Sequence, residues 1–169
     1  MRKVIAFVSW AIVAWICYIF LGSLKFKFTL HPDTQHIFGT IGEWLGTFLG
    51  SGLGSLFAQF GSYVIGSFEL LTSIVLLAPV LIWLKSLITK QAFDKARIRC
   101  HQIGGLLASM IMAGAVFFHL FSPLGIEVLH EGKSDGGSLF KAAVSILILG
   151  IVLFVINRIS IAIGPSNHS

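Results

Sequence analysis

Charged residues are scarce in this chain of 169 residues: Asp, Glu, Lys and Arg make up only 11%, whereas 56% of the residues are hydrophobic. Soluble domains carry about 25% charged residues. A water-soluble exterior built from so few charges would expose large apolar patches that aggregate. The scarcity of charge therefore excludes an ordinary soluble domain and indicates a protein whose apolar surface is covered by lipid.

Motifs of soluble catalysis are also missing. The chain has no phosphate-binding loop, no Gly-x-Ser-x-Gly and no His-Glu-x-x-His. Outside the spans lie His31, Asp33, His36, His130 and Glu131, and the His-x-Asp-x-x-His pattern with a further histidine could bind a transition metal. The spacing is not a specific signature, and no metal is predicted. We do not expect the chain to be an enzyme on its own.

Cysteine is nearly absent, with two residues and no Cys-x-x-Cys, which argues against a thiol–disulfide relay. Their predicted depths in the membrane differ by about 20 Å. A disulfide needs Cα atoms closer than about 7 Å. Cys17 and Cys100 are therefore predicted to be free thiols.

Long apolar runs are what the chain has instead. A membrane-spanning helix needs about 20 mostly apolar residues. Four runs meet this requirement, at residues 4–24, 63–84, 103–126 and 139–156. The first is longer than the apolar region of a signal peptide and has no Ala-x-Ala site after it, so we interpret it as a retained span. The predicted fold is an all-α bundle of four transmembrane helices in a single membrane domain.

The net charge of +5 has a specific distribution. Basic residues flank the apolar runs and are not interleaved with aromatic residues on a polar surface, so nucleic acid is not an expected partner. Eight of them fall on one side of the four predicted spans and four on the other. The side richer in Lys and Arg is expected to face the cytoplasm. We therefore expect an inner (plasma) membrane protein with both termini in the cytoplasm.

A glycine-rich stretch at 37–60 lies between the first two spans. Gly42, Gly46, Gly50 and Gly54 recur every four residues and would form one smooth face for helix packing. A fifth span here would leave only two residues to link it to the next one. We therefore expect an extra helix at the outer side of the bundle, either interfacial or re-entrant, which Gly52 and Gly54 could break into two pieces.

Ionisable residues inside predicted spans are candidate functional residues, because burying a charge in lipid is costly. Glu69 and His119 lie within spans, and Lys25 follows the first span. All three are predicted in the outer half of the bilayer, where neighbouring helices could bring them together. Two interpretations remain open: a structural network that fixes helix register, and a ligand, quinone or proton site.

Several short segments resemble the DoxX-like group of small membrane proteins. They are 22–26 (GSLKF), 31–34 (HPDT), 37–39 (IFG), 66–71 (GSFELL), 112–115 (MAGA) and 119–120 (HL). The resemblance covers roughly residues 4–125 and implies a four-helix membrane protein. It also implies an accessory role beside redox enzymes, with a quinone as a possible ligand, and Lys25, Glu69 and His119 match the group's polar positions.

Three functions are compatible with these patterns. One is a redox-associated accessory subunit that binds a small ligand such as quinone. A second is a small transporter or channel that uses Glu69 and His119 for protons. A third is a membrane chaperone or assembly factor that contacts clients through the glycine face. The expected partners are the lipid bilayer, other membrane or redox proteins, and further copies of the chain.

Overall fold

The computed structural model describes residues 2–89 and 93–162. In these ranges the chain forms five α-helices and a short two-stranded antiparallel hairpin between the last two helices. The elements are α1 (Arg2–Phe28), α2 (Pro32–Leu49), α3 (Ser51–Thr89), α4 (Phe93–Phe121), β1 (Leu129–His130), β2 (Lys133–Ser134) and α5 (Ser138–Ala162).

Four of the helices are long and apolar enough to cross a membrane, within Lys3–Phe28, Ser51–Leu84, Asp94–Phe121 and Ser138–Ser160. The predicted number of spans and the all-helical, multi-pass character are therefore confirmed. The third span begins earlier and ends earlier than the predicted 103–126. Helix α4 ends at Phe121 because Pro123 has no N–H with which to continue it.

The four long helices form a ring in which each packs against two neighbours, in the order α1, α3, α4, α5 and back to α1. Neighbours run antiparallel, so both ends of the described chain lie at one end of the bundle. We call this the terminal end, and we call the opposite end, where α1 joins α2 and α4 joins β1, the loop end. Lys90, one of the eight basic residues counted on the side expected to face the cytoplasm, lies outside the described residues.

Apolar side chains from all four long helices fill the centre of the ring. The fully buried ones include Val13, Ile16, Phe20, Leu76, Ala108, Ile146 and Leu153. Glycine lets α4 and α5 approach most closely: a Cβ added at Gly105 would lie 2.7 Å from the carbonyl oxygen of Gly150. Small residues permit this kind of close helix contact.

The glycine-rich stretch 37–60 is divided into two helices, but at Gly50 and not at Gly52 or Gly54, the two positions where the sequence suggests a break. Gly50 divides it, with φ +91, a conformation that residues with a Cβ rarely adopt. Residues before Gly50 belong to α2, and those after it open α3, which runs on without interruption. Helix α2 therefore folds back along the first half of α3.

The four glycines have different roles in this α2–α3 hairpin. A Cβ at Gly42 would lie 2.6 Å from the oxygen of Gly54, whereas a Cβ at Gly46 would have no atom nearer than 3.8 Å. Gly50 forms the turn and has no close neighbour. Only Gly42 and Gly54 thus require the absence of a side chain for packing, and they pack against each other.

A small apolar cluster holds α2 over the loop end. Its buried members are Ile41 of α2 and Leu124 and Val128 from the segment after α4, and Phe57 and Phe118 pack against them. The cluster ties α2 to both α3 and α4, so that α2 covers the space between the long helices.

Candidate functional site

Glu69 lies on α3 and faces the interior, with 3% of its surface exposed. Lys27 of α1 places its Nζ 2.8 Å from Oε2 and 3.1 Å from Oε1 of this carboxylate. The hydroxyl of Ser23 donates to Oε2 over 2.8 Å and accepts from Lys27 Nζ over 2.9 Å. A buried carboxylate is costly unless it is paired and hydrogen-bonded, and this arrangement supplies both kinds of partner.

Lys25 is not the partner of Glu69, contrary to the sequence-based expectation. Its side chain is exposed, and its Nζ lies 4.8 Å from the centre of the Phe26 ring. Two residues on a helix are separated by about 200°, which places Lys25 and Lys27 on different faces of α1. The i, i+4 spacing of Ser23 and Lys27 is the sequence signal that could have identified the correct lysine.

His119 is also buried, near the end of α4. Its Nδ1 lies 2.7 Å from the carbonyl oxygen of Gly125. Because a carbonyl oxygen can only accept, Nδ1 carries the proton and donates. The ring of Phe140 packs against the imidazole with its centre 5.7 Å away. Gly125 thus provides a backbone carbonyl partner for Nδ1, and Nε2 is the ring nitrogen that takes no part in this bond.

A cavity of about 460 Å³ brings these polar groups together at the loop end of the bundle. Glu69, Lys27 and Ser23 lie on its wall, and so does His119. The rest of the lining is mostly apolar and comes from all five helices, including Ile19, Phe38, Ile41, Phe57, Ile65, Ile111, Met112, Ala115, Phe118, Leu139 and Ala143. Ligand pockets typically have volumes of about 300–1,000 Å³ and combine an apolar lining with a few polar groups.

Helix α2 lines the loop-end side of the cavity, with Ile37, Phe38 and Ile41 on its wall. Its first turn is attached to the β-hairpin through Asp33, whose Oδ1 lies 2.7 Å from Nδ1 of His130. The ring of His36 stacks on His130, with ring centres 4.7 Å apart. The hydrogen bond from His130 is the main reason why the pKa of Asp33 lies below its ordinary value, ahead of the opposing effect of burial and the charges of nearby histidines.

Asp135 organises the segment that leads into α5. Its carboxylate accepts backbone N–H groups of Val128, Gly137 and Leu139 at 2.8, 3.0 and 2.9 Å. Burial raises the pKa of this carboxyl, but the backbone donors together with the hydroxyl of Ser138 outweigh it, so that the pKa lies below 3.8. Asp135 borders the cavity, so this network also positions part of the wall.

Neither cysteine is paired in the structure. Cys17 is buried in α1 and Cys100 lies in α4, and both are free thiols, as predicted. In the part of the chain that the structure describes, no three His, Cys, Asp or Glu residues form a group that could hold a metal ion. His31, Asp33 and His36 therefore do not make up a metal site on their own or with His130.

Comparisons of the chain with protein-family models, with curated proteins and with solved structures gave no match.

Proposed function

We propose that the cavity binds a small, mostly apolar molecule that carries a polar head group, with quinones as the leading chemical class. The observation that carries this proposal is the combination of an apolar cavity of about 460 Å³ with the Lys27–Glu69 pair and His119 on its walls. In this arrangement an apolar body would contact the aliphatic and aromatic lining. The head group would be placed beside the charged pair, the Ser23 hydroxyl or the imidazole.

The position of the ion pair supports a binding role beside its structural one. Lys27 and Glu69 already satisfy each other, and a pair that served only to join α1 to α3 would not need an adjacent cavity. A carbonyl or hydroxyl on a ligand could accept from Lys27 Nζ, which has three N–H groups and makes contacts with Glu69 and Ser23. Recognition of a neutral polar group would therefore not require breaking the ion pair.

The proposed biological role is that of an accessory subunit associated with redox proteins. It rests on the resemblance to the DoxX-like group and on a cavity suitable for a quinone. We further propose an inner-membrane location with cytoplasmic termini, supported by the eight basic residues expected at the terminal end and the four at the other. The α2–α3 hairpin is proposed to lie at the outer leaflet, where Phe48, Leu49 and Leu53 would contact lipid because they are exposed.

Two alanines of α4 provide a matched test of the cavity. Ala115 lines it, whereas Ala113, two residues away, is exposed on the outside of the bundle. Replacing Ala115 with Phe should fill part of the cavity and weaken binding of a short-chain ubiquinone analogue by about tenfold or more, a change of about 1.4 kcal/mol. Ala113→Phe should leave binding unchanged.

Binding would be measured on the purified full chain in mild detergent, by quenching of tryptophan fluorescence and by mass spectrometry of retained small molecules. An equal affinity in both variants and in the original protein would place the quinone outside the cavity and refute the proposal. Absence of any binding by the original protein would refute the quinone class. Thermal unfolding of each variant shows whether a loss of binding reflects a loss of the fold.

A proton-coupled transporter is the second candidate. It is favoured by the buried polar residues Thr72 and Ser73, one turn beyond Glu69 towards the terminal end. The next buried side chain in this direction is the apolar Leu76. Protons moving beyond this residue would require a change in its packing. Substrate-dependent proton flux into vesicles that is abolished by Glu69→Gln, with an unchanged fold, would favour transport over simple binding.

The chaperone hypothesis loses the feature on which it was based. Gly42 and Gly54 pack against each other within the hairpin and so cannot offer the predicted four-glycine face to a client. Co-purification with one specific membrane protein would be needed to restore this hypothesis.

A further inference from the structure

A second group of buried polar side chains lies at the terminal end of the bundle, away from the cavity. Arg97 of α4 is 5% exposed, and His101, one turn further along the same helix, is 0% exposed. The indole of Trp10 packs edge-on against His101, with ring centres 4.6 Å apart. Next to Trp10 in the chain, Ser9 accepts a hydrogen bond from Nδ2 of Asn157 on α5 over 3.1 Å. Three helices thus contribute to one polar group.

Several polar atoms of this terminal-end group have no hydrogen-bond partner among the residues that the structure describes. They are Nη1 of Arg97, both ring nitrogens of His101 and Oδ1 of Asn157. Buried polar atoms in proteins are almost always hydrogen-bonded. Four such atoms, on Arg97, His101 and Asn157, therefore indicate that a component beyond the described residues completes their hydrogen bonding.

The charge of Arg97 specifies what that component should be. In the described part of the chain Arg97 has an ion pair with Asp94, whose Oδ1 is 3.7 Å from Arg97 Nε and whose side chain is 78% exposed. Such a long, exposed contact compensates a buried guanidinium poorly. Arginine forms its strongest hydrogen bonds with carboxylate and phosphate oxygens. An anionic oxygen at Nη1 would supply the missing charge.

The residues around Arg97 are mainly basic, which favours an anion from outside the protein as its partner. Among the side chains described at this end, Lys3, Lys95, Arg99 and Arg158 are exposed basic residues and Asp94 is the acidic one. Arg97 lies at the start of an apolar helix whose spanning stretch begins at Asp94. This is the level at which lipid phosphates meet a membrane protein.

We propose that Arg97 anchors a binding site for a phosphate-class anion, with His101 as a second hydrogen-bonding group deeper on the same face of α4. The phosphate belongs either to an anionic phospholipid or to a small soluble molecule. Asn157 Oδ1 is an acceptor for a hydroxyl of the same ligand or of its hydration shell. The site is separate from the proposed quinone cavity and does not depend on that proposal.

The test uses the full chain in nanodiscs and follows its thermal unfolding. Three conditions are compared: phosphatidylcholine alone, phosphatidylcholine with phosphatidylglycerol, and phosphatidylcholine alone with inorganic phosphate at matched ionic strength. If the unfolding temperature rises when phosphatidylglycerol is present but not when inorganic phosphate is added, the ligand is a lipid phosphate. An equal rise with inorganic phosphate identifies a soluble phosphate. No rise in either condition overturns the proposal.

Arg99 provides the matched control, because it lies on the same helix and carries the same charge but is exposed. Arg97→Gln should lower the retention of phosphatidylglycerol in native mass spectrometry about tenfold, as expected for the loss of one charge-assisted bond. Arg99→Gln should retain the lipid. An equal loss in both variants would mean general attraction to the basic surface and would overturn the proposal. If Arg97→Gln does not fold, the three-condition comparison on the original protein still decides.

Discussion

The contact between Gly42 and Gly54 predicts that the α2–α3 hairpin cannot accommodate even one methyl group. A Cβ at Gly42 would lie 2.6 Å from the oxygen of Gly54 and 2.8 Å from the Cβ of Ala58. Ordinary contact begins at 3.4 Å, so the helices would have to separate by about 0.8 Å. The atoms in the way belong to backbone and to a Cβ, which cannot rotate aside. Overpacking of this kind costs about 1–3 kcal/mol.

Gly39 is the control, since it lies on the same helix and a Cβ there would meet no atom within 4 Å. Without a clash, Gly→Ala in a helix stabilises by about 0.5–1 kcal/mol. Gly42→Ala should therefore unfold at a lower temperature than the original protein in detergent, and Gly39→Ala at an equal or higher one. Because α2 covers the cavity, Gly42→Ala should also weaken retention of a bound small molecule. A Gly42→Ala protein as stable as Gly39→Ala would refute the close packing of the two helices.

Three further predictions concern the ends of the bundle. Cysteines introduced at Asp94 and Ser134 should react with impermeant reagents from opposite sides of the membrane; labelling of both from one side would contradict the antiparallel ring. Cys17 and Cys100 should carry no mutual disulfide in non-reducing peptide maps, and a cross-linked peptide would contradict their positions. Because the pKa of Asp135 in the folded state lies below the ordinary carboxyl value, the stabilising effect of its carboxylate is present above that ordinary value and is lost as the pH falls through the folded-state pKa. At low pH, amide exchange in the 128–139 segment should then accelerate relative to exchange in the helices. The Asp135→Asn variant should show this fast exchange already at neutral pH. An unchanged exchange pattern in that variant would contradict the role of the carboxylate.

The spans were predictable because their signal is local. Any run of about 20 apolar residues must be covered by lipid or protein along its whole length. The number of spans therefore follows from the apolar runs that can be counted in the sequence. The ends of α4 were less accurate, since a run of apolar residues does not show where hydrogen bonding stops. Gly50 illustrates the same limit: four evenly spaced glycines favour one helix, and only the backbone shows which of them forms a turn.

The candidate site was predicted in part. The burial of Glu69 follows from its position in an apolar run, and a cationic partner follows from the cost of an isolated charge. The choice of Lys25 was wrong because depth along a helix does not specify direction around it. Arg97 and His101 were not identified as buried, since both lie in a basic segment that looks like an exposed connection.

Composition and the order of apolar runs thus determined the class of protein, the number of spans and the free state of the thiols. These properties depend on the transfer of segments from water to lipid, which each segment undergoes largely by itself. The tertiary structure decided which lysine meets Glu69, that α2 folds back to cover a cavity, and that Arg97 is enclosed. Such contacts depend on the rotation and separation of helices that are distant in sequence, and shifts of less than 1 Å decide whether the two glycine faces fit.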